Sequence, residues 1–266
     1  MRVIITRPVR EAKRWVQILD QTGYDAVELP LIEVAATSDA QPVLDAAAAL
    51  GQYDAVMFVS GNAVDHFFAV NTDMAFVFNG QSPFKARAYA TGPGTVAALL
   101  RAQADPAWVD APGSDAEQFD SEALWAVVAP QMREGFKVLV VRGAGGTTAP
   151  LPASDGDGRD WFARQVRAAG GSVDFVVAYQ RKPVPFGADE QALACQAAKD
   201  RSIWLFSSSE AIGNLVAACP TQDWSEARAV VTHARIGEAA KAAGFGLVLE
   251  SRPTVPALLA SIESLG

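Results

Sequence analysis

The chain is short of cysteine, of positive charge and of long apolar runs, and each shortage excludes something. Its two cysteines, Cys195 and Cys219, belong to no CxxC pair. That argues against a disulfide framework or a zinc ribbon and predicts two buried, reduced thiols. Lysine and arginine number 22 against 30 aspartates and glutamates, a net charge of −8 with a pI near 4.8. This balance argues against a nucleic-acid partner held by bulk electrostatics, so an anionic ligand would need a local patch. No apolar run approaches the ~20 residues that span a bilayer. The opening strand ends at Thr6-Arg7-Pro8, too soon for a signal-peptide core, and a cytoplasmic protein is expected. Thr91-Gly-Pro-Gly-Thr95 lacks the Gly-Lys-Ser/Thr of a Walker A loop, and Gly143-Ala-Gly-Gly146 lacks the third glycine of a dinucleotide fingerprint. His66 and His233 have no cysteine or carboxylate cluster beside them, so neither a metal nor another cofactor is expected.

What is present is ordinary globular composition, half hydrophobic and a fifth charged over 266 residues, enough for one large domain or two of moderate size. One phrase occurs twice: an apolar run, a short polar turn, then a helix. The first copy runs from Tyr53 to Val64 and the second from Ser202 to Ile212, with Phe58 and Ser60 set against Phe206 and Ser208 at an offset of 148. Such runs suit strands buried on both faces, as in parallel sheets. Other segments repeat too. Arg2–Ile5 with its turn at Arg7 matches Lys137–Val141 with a turn at 142–146 (offset 135), and the stretch from Arg87 matches that from Arg228 (offset 141). Tyr24–Leu31 is set against Ser172–Tyr179. Offsets that drift in this way suggest an internal duplication with loop insertions and deletions.

The remaining pattern is alternating β and α. Helices are predicted near 11–22, closed by Gly23, and over 42–50, 63–70, 95–101, 161–169, 189–199, 238–243 and 254–264. Ser121 is expected to cap a helix through Val128. Strands are predicted over 26–34 (a single one, interrupted by Pro30), 86–90, 107–110 and 246–250. The Pro/Gly/Asp-rich stretch 149–160 reads as a flexible surface loop, and 181–183 as a linker. Phe67, Phe68, Phe76 and Phe78 read as core packing, and His66 as a helix-surface residue. In open α/β sheets ligands sit beyond the carboxyl ends of the strands. Ser60, Asn62, Ser207 and Ser208 there are each read first as helix caps, and the two turns taken together, with Gly61, as ligand donors. Thr91 and Gly92 serve as a tight turn or an anion cradle, and His233 opens the repeated turn.

Several stretches together resemble uroporphyrinogen-III synthase: Ile4-Ile-Thr-Arg-Pro8, Leu29-Pro-Leu-Ile32, Val59-Ser-Gly-Asn-Ala-Val64, Thr91–Thr95, Ser121-Glu-Ala-Leu124, Val140-Val-Arg-Gly143, Val177–Arg181 and Phe206–Ser209. The resemblance covers essentially the whole chain. It implies two flavodoxin-like α/β domains with parallel sheets joined by a two-stranded ladder, one domain being 1–35 with 181–266 and the other 36–180. The linker strands would be those ending near Val34 and Tyr179. It implies a lyase of tetrapyrrole and heme biosynthesis, monomeric and cofactor-free. Such an enzyme closes the linear hydroxymethylbilane with ring D inverted and water lost, in a cleft between the domains. The substrate is a polycarboxylate, and the upstream hydroxymethylbilane synthase is a possible partner.

On that resemblance Tyr179 is the side chain to help the substrate hydroxyl leave, since a phenol donates a proton or a hydrogen bond. Thr6, Arg7, Ser121, Arg142 and Gly143 join the turns above as substrate-binding candidates, the two arginines by pairing with carboxylates. Two departures stand out: Val59 where the family often has Thr, and His233-Ala-Arg-Ile in place of a second glycine-rich turn. Two other readings stay open. One is a two-domain protein that clamps or senses a small anion without chemistry. The other, a nucleotide-dependent enzyme, is weakened by the missing phosphate motifs.

Overall fold

A computed structural model describes residues 1–71, 78–79, 85–145 and 154–265, with 154–160 described by backbone alone. It divides into two compact units, Met1–Glu33 with Lys182–Gly266, and Val34–Gly145 with Ala153–Arg181.

In the first unit, β1 (Arg2–Ile5), β2 (Asp25–Glu28), β9 (Ile203–Phe206), β10 (Arg228–Val231) and β11 (Leu247–Glu250) form a parallel sheet ordered β11-β10-β9-β1-β2. All four residues of β9 are buried, as a strand covered on both faces requires. The connecting helices are α1 (Val9–Gln21), α7 (Ala188–Ala197), α8 (Ser209–Ala218), α9 (Ala234–Ala242) and α10 (Val255–Ser264). Helix α1 buries Ala12, Trp15 and Leu19 against Val3, Ile5 and Leu205, together with Leu258 and Ile262 of α10. It stops where Gly23 takes φ +84°. There the N–H of Gly23 reaches Asp20 and that of Tyr24 reaches Leu19, closing the last carbonyls of the helix.

In the second unit, β3 (Ile32–Ala36), β4 (Ala55–Phe58), β5 (Arg87–Ala90), β6 (Val109–Asp110), β7 (Lys137–Ala144) and β8 (Ser172–Pro183) take the order β3-β8-β7-β4-β5-β6. Its helices are α2 (Gln41–Ala48), α3 (Gly61–Ala69), α4 (Pro93–Arg101), α5 (Ser121–Val128) and α6 (Ser154–Ala168). Strand β4 sends Val56 and Phe58 into one cluster with α2, α3 and α4, and Ala55 and Met57 into another with α5 and α6. Alternate residues thus face opposite, helix-covered sides. Phe58, Phe67, Phe68 and Phe78 touch ring to ring in the first cluster; Phe76 lies outside the described residues.

The ladders carry the duplication. Val3 pairs with Ile203 as Val138 does with Ala55, and Ile203 pairs with Arg228 as Ala55 does with Arg87. Offsets of 135, 148 and 141 relate these partners, the same three that relate the sequence repeats. With β7 standing for β1, β8 for β2 and β4 to β6 for β9 to β11, five strands of each sheet share one order, that of a flavodoxin-like fold, and β3 adds a sixth beside β8 that the first sheet lacks. The match of the second repeated strand slips by one residue. Val3 faces Ala26 and Val138 faces Val173, an offset of 147 rather than 148.

Several expectations need correction. The single strand over 26–34 is two, β2 and β3, in different sheets; Pro30, with no N–H to give, sits at the break. Residues 181–183 pass from one unit to the other, as expected of a linker, but as the end of strand β8; Arg142 and Gly143 lie inside β7 rather than in a turn, because β7 and β8 keep pairing as far as Ala144 and Gln180. Of residues 107–110, Ala107 and Trp108 close a 3-10 turn, Pro106–Trp108, and only Val109 and Asp110 are strand. Residues 149–153 of the expected loop lie outside the described residues, while 154–160 are the first turns of α6. Gly156 and Gly158 weigh against a helix locally, and packing of the later turns outweighs them. Asp120, not Ser121, caps α5: its carboxylate accepts the Ala123 N–H at 2.9 Å, and Ser121 is the buried first helical residue. Both side chains are good caps, and the one a residue earlier has the position. Cys219 is buried but Cys195 is exposed.

Candidate active site

In the second unit the candidates gather at the carboxyl ends of β4, β5 and β7. Ser60 caps α3: its backbone is extended and its Oγ accepts the Ala63 N–H at 3.2 Å. The same Oγ lies 3.0 Å from the Tyr179 hydroxyl. Gly61 and Asn62 are the first two residues of the helix; a side chain on Gly61 would press on the Gly94 carbonyl of α4 at 3.3 Å, so its smallness serves helix packing. Thr91 donates its hydroxyl to the Val59 carbonyl at 3.3 Å, tying the ends of β4 and β5. Gly92 caps α4 with its backbone and lies against Phe119.

Tyr179 owes its place to an irregularity in β8. Arg142 faces Val177 but Gly143 faces Tyr179, so Ala178 is an extra residue in the ladder. Side chains along a strand alternate between faces, and a bulge breaks that alternation. Val173 packs in the α5–α6 cluster, while Val176, Ala178 and Tyr179 all pack in the α2–α3–α4 cluster. The bulge thus turns Tyr179 onto the face that carries Ser60. Gly143 makes room for it: a Cβ there would lie 2.5 Å from two ring carbons of Tyr179. The tyrosine is only 3% exposed, whereas Ser60 is half-buried.

His66 completes the group and was not among the expected site residues. Its imidazole stacks on the Tyr179 ring, centroids 5.6 Å apart and planes 23° from parallel. Burial pushes its pKa below the usual histidine value, partly opposed by Asp65, so the neutral ring prevails near pH 7. Nothing in the sequence pairs residue 66 with residue 179; only the β8 bulge brings them together. Arg142 lies with its guanidinium 4.7 Å from the centre of the Phe175 ring. Below the site, Tyr53 donates to Asp174 at 3.0 Å, and its pKa is pushed up to about 12 by burial and by that carboxylate.

In the first unit the candidates also sit at strand ends, several with internal work. Thr6 is buried and donates to the Leu205 carbonyl at 2.7 Å. Arg7 pairs with Glu11 at 3.1 Å and lies over Trp15. Ser208 occupies the cap position of α8 with its side chain making no capping hydrogen bond, and Ser207 precedes it. His233 caps α9, its Nδ1 accepting the Arg235 N–H at 3.1 Å. Among the described residues no helix is long and apolar enough to cross a membrane.

The family model described as uroporphyrinogen-III synthase HemD matches residues 13–260. Among solved structures, a mutant uroporphyrinogen III synthase from Thermus thermophilus is similar at 14% identity and a TM-score of 0.58, over 100% of this chain and 98% of that one. Uroporphyrinogen-III synthetase from Helicobacter pylori is similar at 16% identity and a TM-score of 0.54, over 100% of both chains. At such identities the structures speak for the shared fold, and the family match over nearly the whole length speaks for kinship. The chain belongs to the uroporphyrinogen-III synthase family, enzymes that close hydroxymethylbilane into uroporphyrinogen III.

Proposed function

We propose that in this chain, a lyase that cyclises hydroxymethylbilane, the Tyr179–Ser60 pair delivers the proton on which the substrate hydroxyl departs. The observation that carries the reading is the 3.0 Å contact between the two hydroxyls. Ser60 Oγ accepts from the Ala63 N–H and can also accept from Tyr179, which leaves its own proton directed outward. Being the more exposed of the two, Ser60 is the group that meets the substrate, and Tyr179 stands behind it. As the C–O bond breaks, the pyrrole nitrogen supplies the electron pair, Ser60 gives its proton to the departing water, and Tyr179 replaces it. The azafulvenium-like cation is then attacked by the substituted carbon of ring D. The spiro intermediate fragments and recloses, and the proton released as the last pyrrole regains aromaticity returns to the pair.

The linear substrate also closes unaided, to the wrong isomer, so much of the work is orientation. The helix N-termini that come after β4 and β5 offer backbone N–H groups to substrate carboxylates without a strong positive field, which reconciles an acidic chain with a polyanion. Ser207, Ser208 and Arg142 are further carboxylate contacts in this reading. A monomeric cytoplasmic enzyme fed directly by hydroxymethylbilane synthase fits a substrate that closes by itself.

Incubation with hydroxymethylbilane and separation of the isomers tests the activity: an excess of isomer III over the no-protein control is expected, and isomer I alone would leave a non-enzymatic anion binder. Tyr179→Phe should lower kcat while KM holds, and Ser60→Ala should do the same. Unchanged turnover in both would remove the relay.

A further inference from the structure

One titratable side chain touches the relay without a part in its proton traffic. His66 belongs to α3, the helix that Ser60 caps, so a single element supplies both the hydroxyl that meets Tyr179 and the ring that lies along it. Tyr179 comes from a bulged strand, and its tip is held by one hydrogen bond. The ring is packed in the α2–α3–α4 cluster, and reacting groups need to be held within about 0.5 Å, so each contact on it counts. At Gly143 the ring meets bare backbone, with no side chain to brace it. The planar imidazole, offset-stacked within the range of productive ring pairs, supplies that brace.

We propose that His66 is a positioning residue for the cyclisation: stacked on Tyr179, it holds the phenol where its hydroxyl meets Ser60. The role rests on the relay reading above. A neutral imidazole suits the task better than a cation, since a positive charge there would oppose the cation that develops on the substrate. Asp65, next to it on α3, acts on its charge and itself pairs with Arg101 of α4 at 3.4 Å.

The test compares His66→Ala, His66→Leu and His66→Phe by steady-state kinetics and isomer separation, each checked for folding by its melting curve. Removal of the flat ring should lower kcat by about threefold to tenfold, the size of one lost ring pair, with KM unchanged and less isomer III. His66→Phe restores the stack and should run close to the parent rate. In a Tyr179→Phe background, His66→Ala should add nothing, because its effect passes through the phenol. His66→Leu fills the space without a flat ring and carries the same expectation should the alanine variant not fold. An unchanged kcat in the alanine and leucine variants, a phenylalanine variant as slow as leucine, or a full additive loss in the double variant would overturn the role. If Tyr179→Phe is slow and His66→Ala is not, only His66 loses its part; if Tyr179→Phe is itself unaffected, the relay falls first.

Discussion

Gly143→Ala is the most searching single change, because one methyl group would act on fold and chemistry together. The new Cβ would stand 2.5 Å from two ring carbons of Tyr179 and 3.0 Å from a third. Carbon atoms rest at about 3.5–4 Å, so the ring would have to retreat by roughly 1 Å. A shift of that size is enough to stretch the 3.0 Å contact with Ser60 Oγ past hydrogen-bond range. Overpacking costs about 1–3 kcal/mol, and the lost bond about 0.5–1.5 kcal/mol. A destabilisation of about 1.5–4.5 kcal/mol is therefore expected, read as a lower denaturation midpoint in urea. If the pair delivers the proton, kcat should fall by about 10²-fold, the lower end of acid–base contributions. Spontaneous closure then gains on the enzyme, and the share of isomer I rises. The measurements are urea unfolding and isomer-resolved turnover on one preparation. A variant that keeps parent stability and parent turnover would show that the ring does not need this gap, and would refute the packing argument.

Three further outcomes concern other parts of the molecule. Asp120→Ala should cost about 1 kcal/mol of stability as a lost helix cap, whereas Ser121→Ala should not lose a cap; equal losses in thermal melts would contradict the assignment. One thiol of the two should react rapidly with a thiol reagent in the folded protein. Cys195 is exposed, while Cys219 is buried with its pKa raised by that burial and by the neighbouring Cys195 thiol; two fast thiols before denaturation would refute this. His66 binds its proton less readily folded than unfolded, so its contribution to stability is full above the ordinary histidine pKa of about 6.5. That contribution is lost as pH falls from there through the lowered folded value, since the unfolded chain then holds the extra proton. His66→Gln should flatten this part of the stability–pH curve, and an unaltered slope would speak against it.

Much of the fold was legible in the chain. Runs such as Ile203-Trp-Leu-Phe206 declare a doubly covered strand because nothing in them suits water, and Gly23 ends α1 because glycine takes a positive φ without strain. The repeat offsets reappear as ladder partners because each strand's register is tied to its buried face. The harder places had competing local signals. Asp120 and Ser121 are both good caps one residue apart, and Pro30 marks a break without saying that the flanking strands join different sheets. At the site, Ser60 was readable as a cap, but nothing before the fold marked His66 or the partner of Gly143.

The order of βα units, the two-fold repeat, the buried strands and the helix-starting turns were determined by residue type and spacing, which act over a few neighbours. Which side Tyr179 faces was decided by the tertiary structure alone. Strand side chains alternate with a period of two, so a single extra residue at Ala178 reverses the face of every later residue in the strand. Whether that residue bulges depends on how β8 pairs with β7, some 36 residues away along the chain. The meeting of Tyr179 with Ser60, His66 and Gly143 is therefore a property of strand pairing, not of any local pattern.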